Sequence, residues 1–166
     1  MEILTSRLRL VPIGLENADD LLRIHRDPAV AEWYGRLSDE EVVTRAGSFG
    51  EQWRTNGVSK WLAYEKASDN LVGRGGLSRV PVEGREQLEL GWALLGAHWG
   101  QGYATEIGRA GLDFAFDRLD ADEVIAFTEA HNKRSRAVME RLGMSYSHEM
   151  VHNDEPFVLY RMARDR

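Results

Sequence analysis

The sequence contains no cysteine among its 166 residues. A disulfide framework, a thiolate metal site and a cysteine nucleophile are therefore excluded. The chain also lacks an apolar run of about 7 to 15 residues near its start, so we expect neither a signal peptide nor a membrane span. Both absences fit a soluble protein in a reducing compartment, and we expect a cytoplasmic location.

An excess of basic side chains is lacking as well. The chain has 21 Lys and Arg against 27 Asp and Glu, which gives a formal net charge of -6. This balance opposes binding to a phosphate backbone, and we expect no nucleic-acid partner and no membrane partner. The length fits a single domain spanning 1–166, which is long enough to bury roughly 70% of its unfolded surface.

Apolar spacing predicts an alternation of strands and helices. Asp27-Pro28 is interpreted as the end of the first helix, and Gly91 inside a strand predicts a bulge. We expect no repeat or linker. The predicted strands are 7–13, 58–65, 71–80, 87–95, 123–128, 144–151 and 156–162. The predicted helices lie at 17–25, 38–53 and 132–143, and a further helix begins at the end of the stretch 99–106 and carries an apolar stripe over 107–119.

The stretch WGQGYATE, 99–106, lies between a predicted strand and a predicted helix. Such a glycine loop can bind phosphate through its backbone N–H groups, or it can be a turn that needs positive φ. A P-loop is excluded because no Gly-Lys-Ser/Thr follows. A dinucleotide fingerprint would need glycine where Thr105 stands and a parallel strand before the loop, so an NAD-dependent oxidoreductase is the weaker hypothesis. The remaining alternative is the pyrophosphate of coenzyme A.

Two other kinds of site are set aside. His148 and His152 fall in a predicted strand, where residues four apart lie roughly 13 Å apart and cannot easily share an ion. We therefore predict no metal site. No G-x-S-x-G motif is present, which excludes the nucleophile elbow of serine hydrolases.

Three segments together resemble the Gcn5-related N-acetyltransferase (GNAT) superfamily, and most closely its RimJ and RimL type branch. They are TSRLRLVPI, ELGWALLGAHWGQGYATE and EAHNKRSRAVMERLGM. The resemblance implies an α/β (α+β) fold with a mixed, mainly antiparallel sheet of about seven strands and about four helices. The sheet would be splayed between strands 4 and 5.

The resemblance also implies a site for acetyl-CoA, the expected co-substrate. The backbone of one strand end would pair with the pantetheine arm, and the glycine loop would hold the pyrophosphate. Asn132, whose simpler interpretation is a helix N-cap, would contact the cofactor or the substrate. The expected cofactor-binding residues are Trp92, Ala93, Leu94, Gly100, Gln101, Gly102, Tyr103, Ala104, Thr105, Asn132 and Ser135.

The implied activity is transfer of acetyl to a primary amine, either a protein N-terminal α-amine or a small-molecule amine. Ser135 would be a general acid for the thiolate. Glu89 is the first candidate for the base and Glu129 the second, whereas Glu106 is interpreted as a first-turn helix acid. Glu89 and Tyr34 are expected to contact the acceptor. Since cysteine is absent, we expect direct attack in a ternary complex.

The alternative from another class is a non-catalytic module of the same fold that binds or senses acyl-CoA. Binding of the cofactor without turnover on any amine would indicate the module. The sequence leaves a homodimer open.

Overall fold

Alternating apolar residues form eight strands of one sheet in the computed structural model, which describes residues 1–165. The strands are β1 (Ile3–Leu4), β2 (Leu8–Pro12), β3 (Lys60–Glu65), β4 (Leu71–Val82), β5 (Arg85–Leu94), β6 (Glu123–Glu129), β7 (Ser145–His152) and β8 (Glu155–Ala163). The helices are α1 (Ala18–Arg26), α2 (Pro28–Tyr34), α3 (Asp39–Asn56), α4 (Tyr103–Asp113), which continues into a π-helical turn at Phe114–Arg118, and α5 (Lys133–Arg141). The predicted fold class is confirmed.

The sheet is antiparallel except at its centre. Its order is β1-β2-β3-β4-β5-β6-β8-β7, and β5 runs parallel to β6. Within the described chain, these two strands pair only at Glu89 and Ile125, whereas β4 and β5 pair along their whole length. The sheet therefore splits beyond Glu89. The short β1 shifts the numbering by one, so the predicted split between strands 4 and 5 corresponds to that between β5 and β6.

One of two local predictions was wrong. The first helix ends at Asp27-Pro28 as predicted, since α1 stops at Arg26 and Asp27 is its C-cap. Pro28 then opens the helix α2, which the sequence did not predict, and the Asp27 side chain caps it by accepting a hydrogen bond from Ala29 N at 2.8 Å. Gly91 forms no bulge, since it lies opposite Gly76 in a β4–β5 ladder of continuous register. A Cβ at Gly91 would lie 2.9 Å from Glu89 Oε1, so the glycine instead leaves room for that carboxylate.

Helices cover both faces of the sheet. Helices α1, α2 and α3 bury Leu21, Val30 and Val42 against one face, while α4 and α5 bury residues such as Ile107 and Met139 against the other. In residues 1–165, no helix has the length and apolar character needed to cross a bilayer. The split in the sheet is thus left between two helical layers.

Candidate active site

A cleft of about 900 Å³ opens where β5 and β6 separate. Every predicted site residue except Gln101 lines it. The lining includes Tyr34, Glu89, Trp92, Ala93, Leu94, Gly100, Gly102, Tyr103, Ala104, Thr105, Glu129, Asn132 and Ser135. The structure therefore brings together residues from six separate elements of the sequence.

The glycine loop has the backbone that the phosphate interpretation requires. Gly100 and Gly102 adopt φ values of 76° and 81°, and Gly102 is the N-cap of α4. Among the described residues, no acceptor is found for the amides from Gly100 to Thr105, and the buried Thr105 hydroxyl has no partner. These donors sit at the positive end of the helix dipole, so they fit an anionic group such as a pyrophosphate.

Arg7 fixes the outer side of this loop. Its Nη1 donates to the Gln101 carbonyl at 2.9 Å, its Nε pairs with Glu106 at 2.8 Å, and its guanidinium lies 4.3 Å from the centre of the Tyr103 ring. Burial raises the pKa of Glu106, but hydrogen bonds from Arg7 and Thr5 outweigh it and leave the pKa below its usual value. Glu106 lies in the first turn of α4, as expected, and its ion pair with Arg7 stabilises the outer side of the loop.

Trp99 ties the loop to the end of β5. Its indole Nε1 donates to the Leu94 carbonyl at 3.0 Å, and the Arg134 guanidinium lies 4.5 Å above its ring. Arg134 also lines the cleft, whereas Arg136 on the same helix donates to the Ala130 carbonyl at 2.9 Å. Of these two arginines, only Arg134 reaches the cleft.

The end of β5 presents its backbone to the split. The Trp92 carbonyl accepts a hydrogen bond from the Tyr34 hydroxyl at 2.9 Å, and Trp99 occupies the Leu94 carbonyl. Each carbonyl keeps a second lone pair, and β6 gives this segment no ladder partner beyond Glu89. An extended ligand arm can therefore pair with this strand end.

Asn132 and Ser135 form the start of α5. The Asn132 side chain accepts a hydrogen bond from Ser135 N at 3.2 Å, so its N-cap role is confirmed. Ser135 is half-buried and lines the cleft. The cap holds the serine at the helix end that faces the split.

Glu89, the first candidate base, is largely enclosed. Its side chain is 15% exposed, and its Oε2 lies 3.4 Å from the ammonium of buried Lys60, which also donates to the Gly76 carbonyl at 3.0 Å. Burial lowers the pKa of Lys60, and the charge of Glu89 opposes that shift. Glu129 lies at the end of β6 on the opposite wall.

Aromatic side chains surround the half of the cleft away from the glycine loop. Trp33 and Tyr34 come from α2, and the Trp33 ring lies 5.2 Å from that of His131. Phe127, His152 and Phe157 pack together on the other side, with ring centres 5.1 to 6.2 Å apart. This half can accommodate an acceptor.

Several residues of the site were missed from the sequence. Arg45 reaches the cleft from α3, and Arg74 and Lys60 lie buried on strand positions that share a face with Glu89 and Ala93. A charged residue within an otherwise apolar buried strand was the available signal for Arg74. Nothing in the sequence indicated that Arg45 would turn toward the cleft.

The two histidines considered as a metal pair have separate surroundings. His148 contacts Glu83 at 2.5 Å, and His152 packs on Phe127 and Phe157. In the part of the chain that the structure describes, no three His, Asp or Glu side chains converge on a possible metal position. The absence of a metal site stays a prediction.

A mixed sheet that splits beside a glycine loop and a helix N-terminus is an arrangement that can bind a phosphate-bearing ligand with an extended arm. Residues 7–145 match the family model described as an acetyltransferase (GNAT) domain. The chain therefore belongs to the GNAT acetyltransferase family.

Known proteins agree with this assignment. The chain is 31% identical over 152 residues to FsC-acetyl coenzyme A-N(2)-transacetylase of Aspergillus fumigatus, covering 86% of this chain and 64% of that protein. A putative GnaT-family acetyltransferase from Bordetella pertussis superposes with a TM-score of 0.87 at 21% identity, over 98% and 99% of the two chains. RimL, a ribosomal L7/L12 α-N-protein acetyltransferase in complex with coenzyme A, superposes with a TM-score of 0.78 at 16% identity, over 98% of each chain.

Proposed function

We propose that this protein transfers an acetyl group from acetyl-CoA to a primary amine by direct attack in a ternary complex. The observation that carries the proposal is the single cleft at the β5–β6 split, which is lined by the glycine loop, Ser135 and Glu89 together. The acceptor is a protein N-terminal α-amine, as in the RimL protein, or a small-molecule amine.

The free backbone donors of the glycine loop and the unpaired Thr105 hydroxyl fit the pyrophosphate of the cofactor. Trp92 and Leu94 would align the pantetheine arm through their main chain. Acetyl-CoA supplies the activated acetyl group as a thioester. These residues would place that group beside Ser135 and Glu89.

Two side chains, Glu89 and Ser135, would carry out the proton transfers. A neutral amine is needed for attack, and an α-amine with a pKa of about 8 is roughly 3 kcal/mol easier to deprotonate than a lysine side chain. Glu89, directly or through water, accepts the amine proton as the N–C bond forms. Ser135 donates a proton to the sulfur as the C–S bond breaks. Glu129 is the second candidate for the base.

Release of free thiol from acetyl-CoA, measured with a panel of amines, tests the proposal. We expect Glu89→Gln to lower kcat/KM by about 100-fold to 1000-fold and Ser135→Ala by about 100-fold. The matched controls are Glu86→Gln, an exposed carboxylate on the same strand, and Ser145→Ala, an exposed serine at the start of β7. Both controls should retain full activity.

The variant Glu129→Gln identifies the base, because the larger loss belongs to the carboxylate that accepts the proton. Tight binding of acetyl-CoA with no turnover on any amine would contradict the proposal and indicate the non-catalytic acyl-CoA-binding module instead.

A further inference from the structure

Three cationic side chains lie at the acceptor half of the cleft. Arg45 lines it from α3, and Arg74 and Lys60 are buried below it, each only 5% exposed. Arg74 pairs across the ladder with Ala93, and Lys60 with Gly76, so both lie on the face of the sheet that carries Glu89. Positive charge is thus concentrated under α2 and α3.

These cations are poorly compensated. Lys60 has one carboxylate partner, Glu89 at 3.4 Å. In residues 1–165, no carboxylate oxygen lies within 4 Å of the guanidinium of Arg74 or Arg45. The Arg74 Nε donates only a long hydrogen bond of 3.4 Å to His25 Nε2, and its guanidinium lies 5.0 Å from the Tyr34 ring centre. Because a buried charge is unfavourable without a partner, this arrangement favours an incoming anion.

Glu89 and Glu129, the two carboxylates that line the cleft, form a negative region apart from these arginines. Tyr34 lies beside the cations, since its ring centre is 5.0 Å from the Arg74 guanidinium, and its hydroxyl donates to the Trp92 carbonyl of the strand that carries Glu89 at 2.9 Å. An acceptor with its ammonium toward the carboxylates and an anionic group toward the arginines would match both. An acceptor with positive charge at both ends would not.

We propose, on the basis of the proposed function, that the acceptor is a small amine that carries a carboxylate or a phosphate, which Arg45 contacts directly and Arg74 attracts from below. A small acceptor follows from the cleft, whose volume of about 900 Å³ lies within the usual range for small-ligand sites and must also receive the acetyl-bearing arm. The site therefore selects amino acids or aminoalkyl phosphates over plain amines and polyamines.

Matched pairs of amines test this proposal by thiol release. L-Phenylalanine is compared with 2-phenylethylamine for the carboxylate, and O-phosphoethanolamine with ethanolamine for the phosphate. An acidic dipeptide is compared with its amide for the peptide class. We expect the anionic member of at least one small-amine pair to have a kcat/KM about tenfold or more higher, as a charge-assisted hydrogen bond implies.

The variant Arg45→Gln should abolish this preference by raising KM with little change in kcat. Arg45 is exposed, so the substitution leaves the core intact. The matched control is Arg54→Gln, an exposed arginine on the same helix that lies outside the cleft and pairs with Glu51. The control should keep the preference.

Equal use of both members, a preference for the plain amine, or a preference confined to the dipeptide would overturn the proposal. So would an identical effect of Arg45→Gln and Arg54→Gln.

A binding measurement separates the subsite from catalysis. N-Acetyl-L-phenylalanine and N-acetyl-2-phenylethylamine, the products of the first pair, are titrated into the protein saturated with coenzyme A, and N-acetyl-O-phosphoethanolamine and N-acetylethanolamine follow as the second pair. Tighter binding of an anionic product that depends on Arg45, without turnover of any amine, would support the subsite and contradict the acetyltransferase. Turnover with equal binding of both members in both pairs would support the acetyltransferase and overturn the subsite.

Discussion

Replacing Gly102 by valine should separate the role of the glycine loop's backbone from that of its side chains. Gly102 caps α4 with φ at 81°, and a β-branched residue in this left-handed region costs roughly 1 to 2 kcal/mol. Its new Cβ would lie 3.4 Å from Arg7 Nη2, on the guanidinium whose Nη1 holds the Gln101 carbonyl. Relief of either strain rotates the amides that face the cleft.

The size of the loss in coenzyme A affinity follows from the hydrogen bonds between the loop amides and the pyrophosphate. A hydrogen bond to a charged group contributes about 1.5 to 3 kcal/mol, so loss of one amide contact to the pyrophosphate weakens coenzyme A binding by roughly 10-fold to 100-fold. Gln101→Ala should change the affinity by less than about threefold, because that side chain bonds to the Ala97 carbonyl and lies outside the cleft. Titration calorimetry with coenzyme A measures both values.

Gly57→Val is the control for backbone strain. Gly57 ends α3 with φ at 69°, and a Cβ there would meet no other atom within 4 Å. It should lower the midpoint of thermal unfolding much as Gly102→Val does and leave coenzyme A binding unchanged. Equal losses of affinity in Gly102→Val and Gln101→Ala, or an equal loss in Gly57→Val, would refute a main-chain phosphate site.

Two further predictions concern pH and the helix cap. Burial, with the charges of Arg74 and Arg45, lowers the pKa of His25 from 6.5 to about 4. The contribution of His25 to the free energy of unfolding should therefore be constant above pH 6.5 and fall toward pH 4, by up to about 2 kcal/mol after solvent screening. Urea unfolding should show this slope, and its persistence in His25→Gln would contradict the assignment. Asn132→Ser should keep the unfolding midpoint, since serine also caps helices, but raise the KM for acetyl-CoA several-fold. An unchanged KM would indicate that Asn132 acts only as the N-cap of α5.

The glycine loop and the start of α5 could be predicted because their signals are local. Positive φ at Gly100 and Gly102, the helix start that follows the loop and the cap at Asn132 depend on neighbouring residues in the chain. Backbone recognition requires few special side chains, so a short motif carries the information. The same locality explains why the order of the predicted strands and helices was correct, although β1 and α2 were missed.

The acceptor half depends on contacts between distant segments, and the sequence showed little of it. The helix α2, which supplies Tyr34, was missed because Asp27-Pro28 was interpreted only as the end of the first helix. The same pair also starts the next helix, with Asp27 as its N-cap and Pro28 at its first position. Gly91 was interpreted as a bulge because the space it leaves for Glu89 and Lys60 exists only once β3, β4 and β5 are paired.

The charged interior beneath that half argues for binding rather than for stability. Leu62 and Ala93 show that the same face of the sheet packs apolar side chains against α1, α2 and α3, and an apolar residue in place of Arg74 would avoid a desolvation penalty of roughly several kcal/mol. Glu89 lies 3.4 Å from Lys60 and offsets its penalty, but no described carboxylate lies within 4 Å of the Arg74 guanidinium. A negative group would therefore gain most free energy where Arg74 and Arg45 both act on it, which is the end of the cleft that the acceptor must enter.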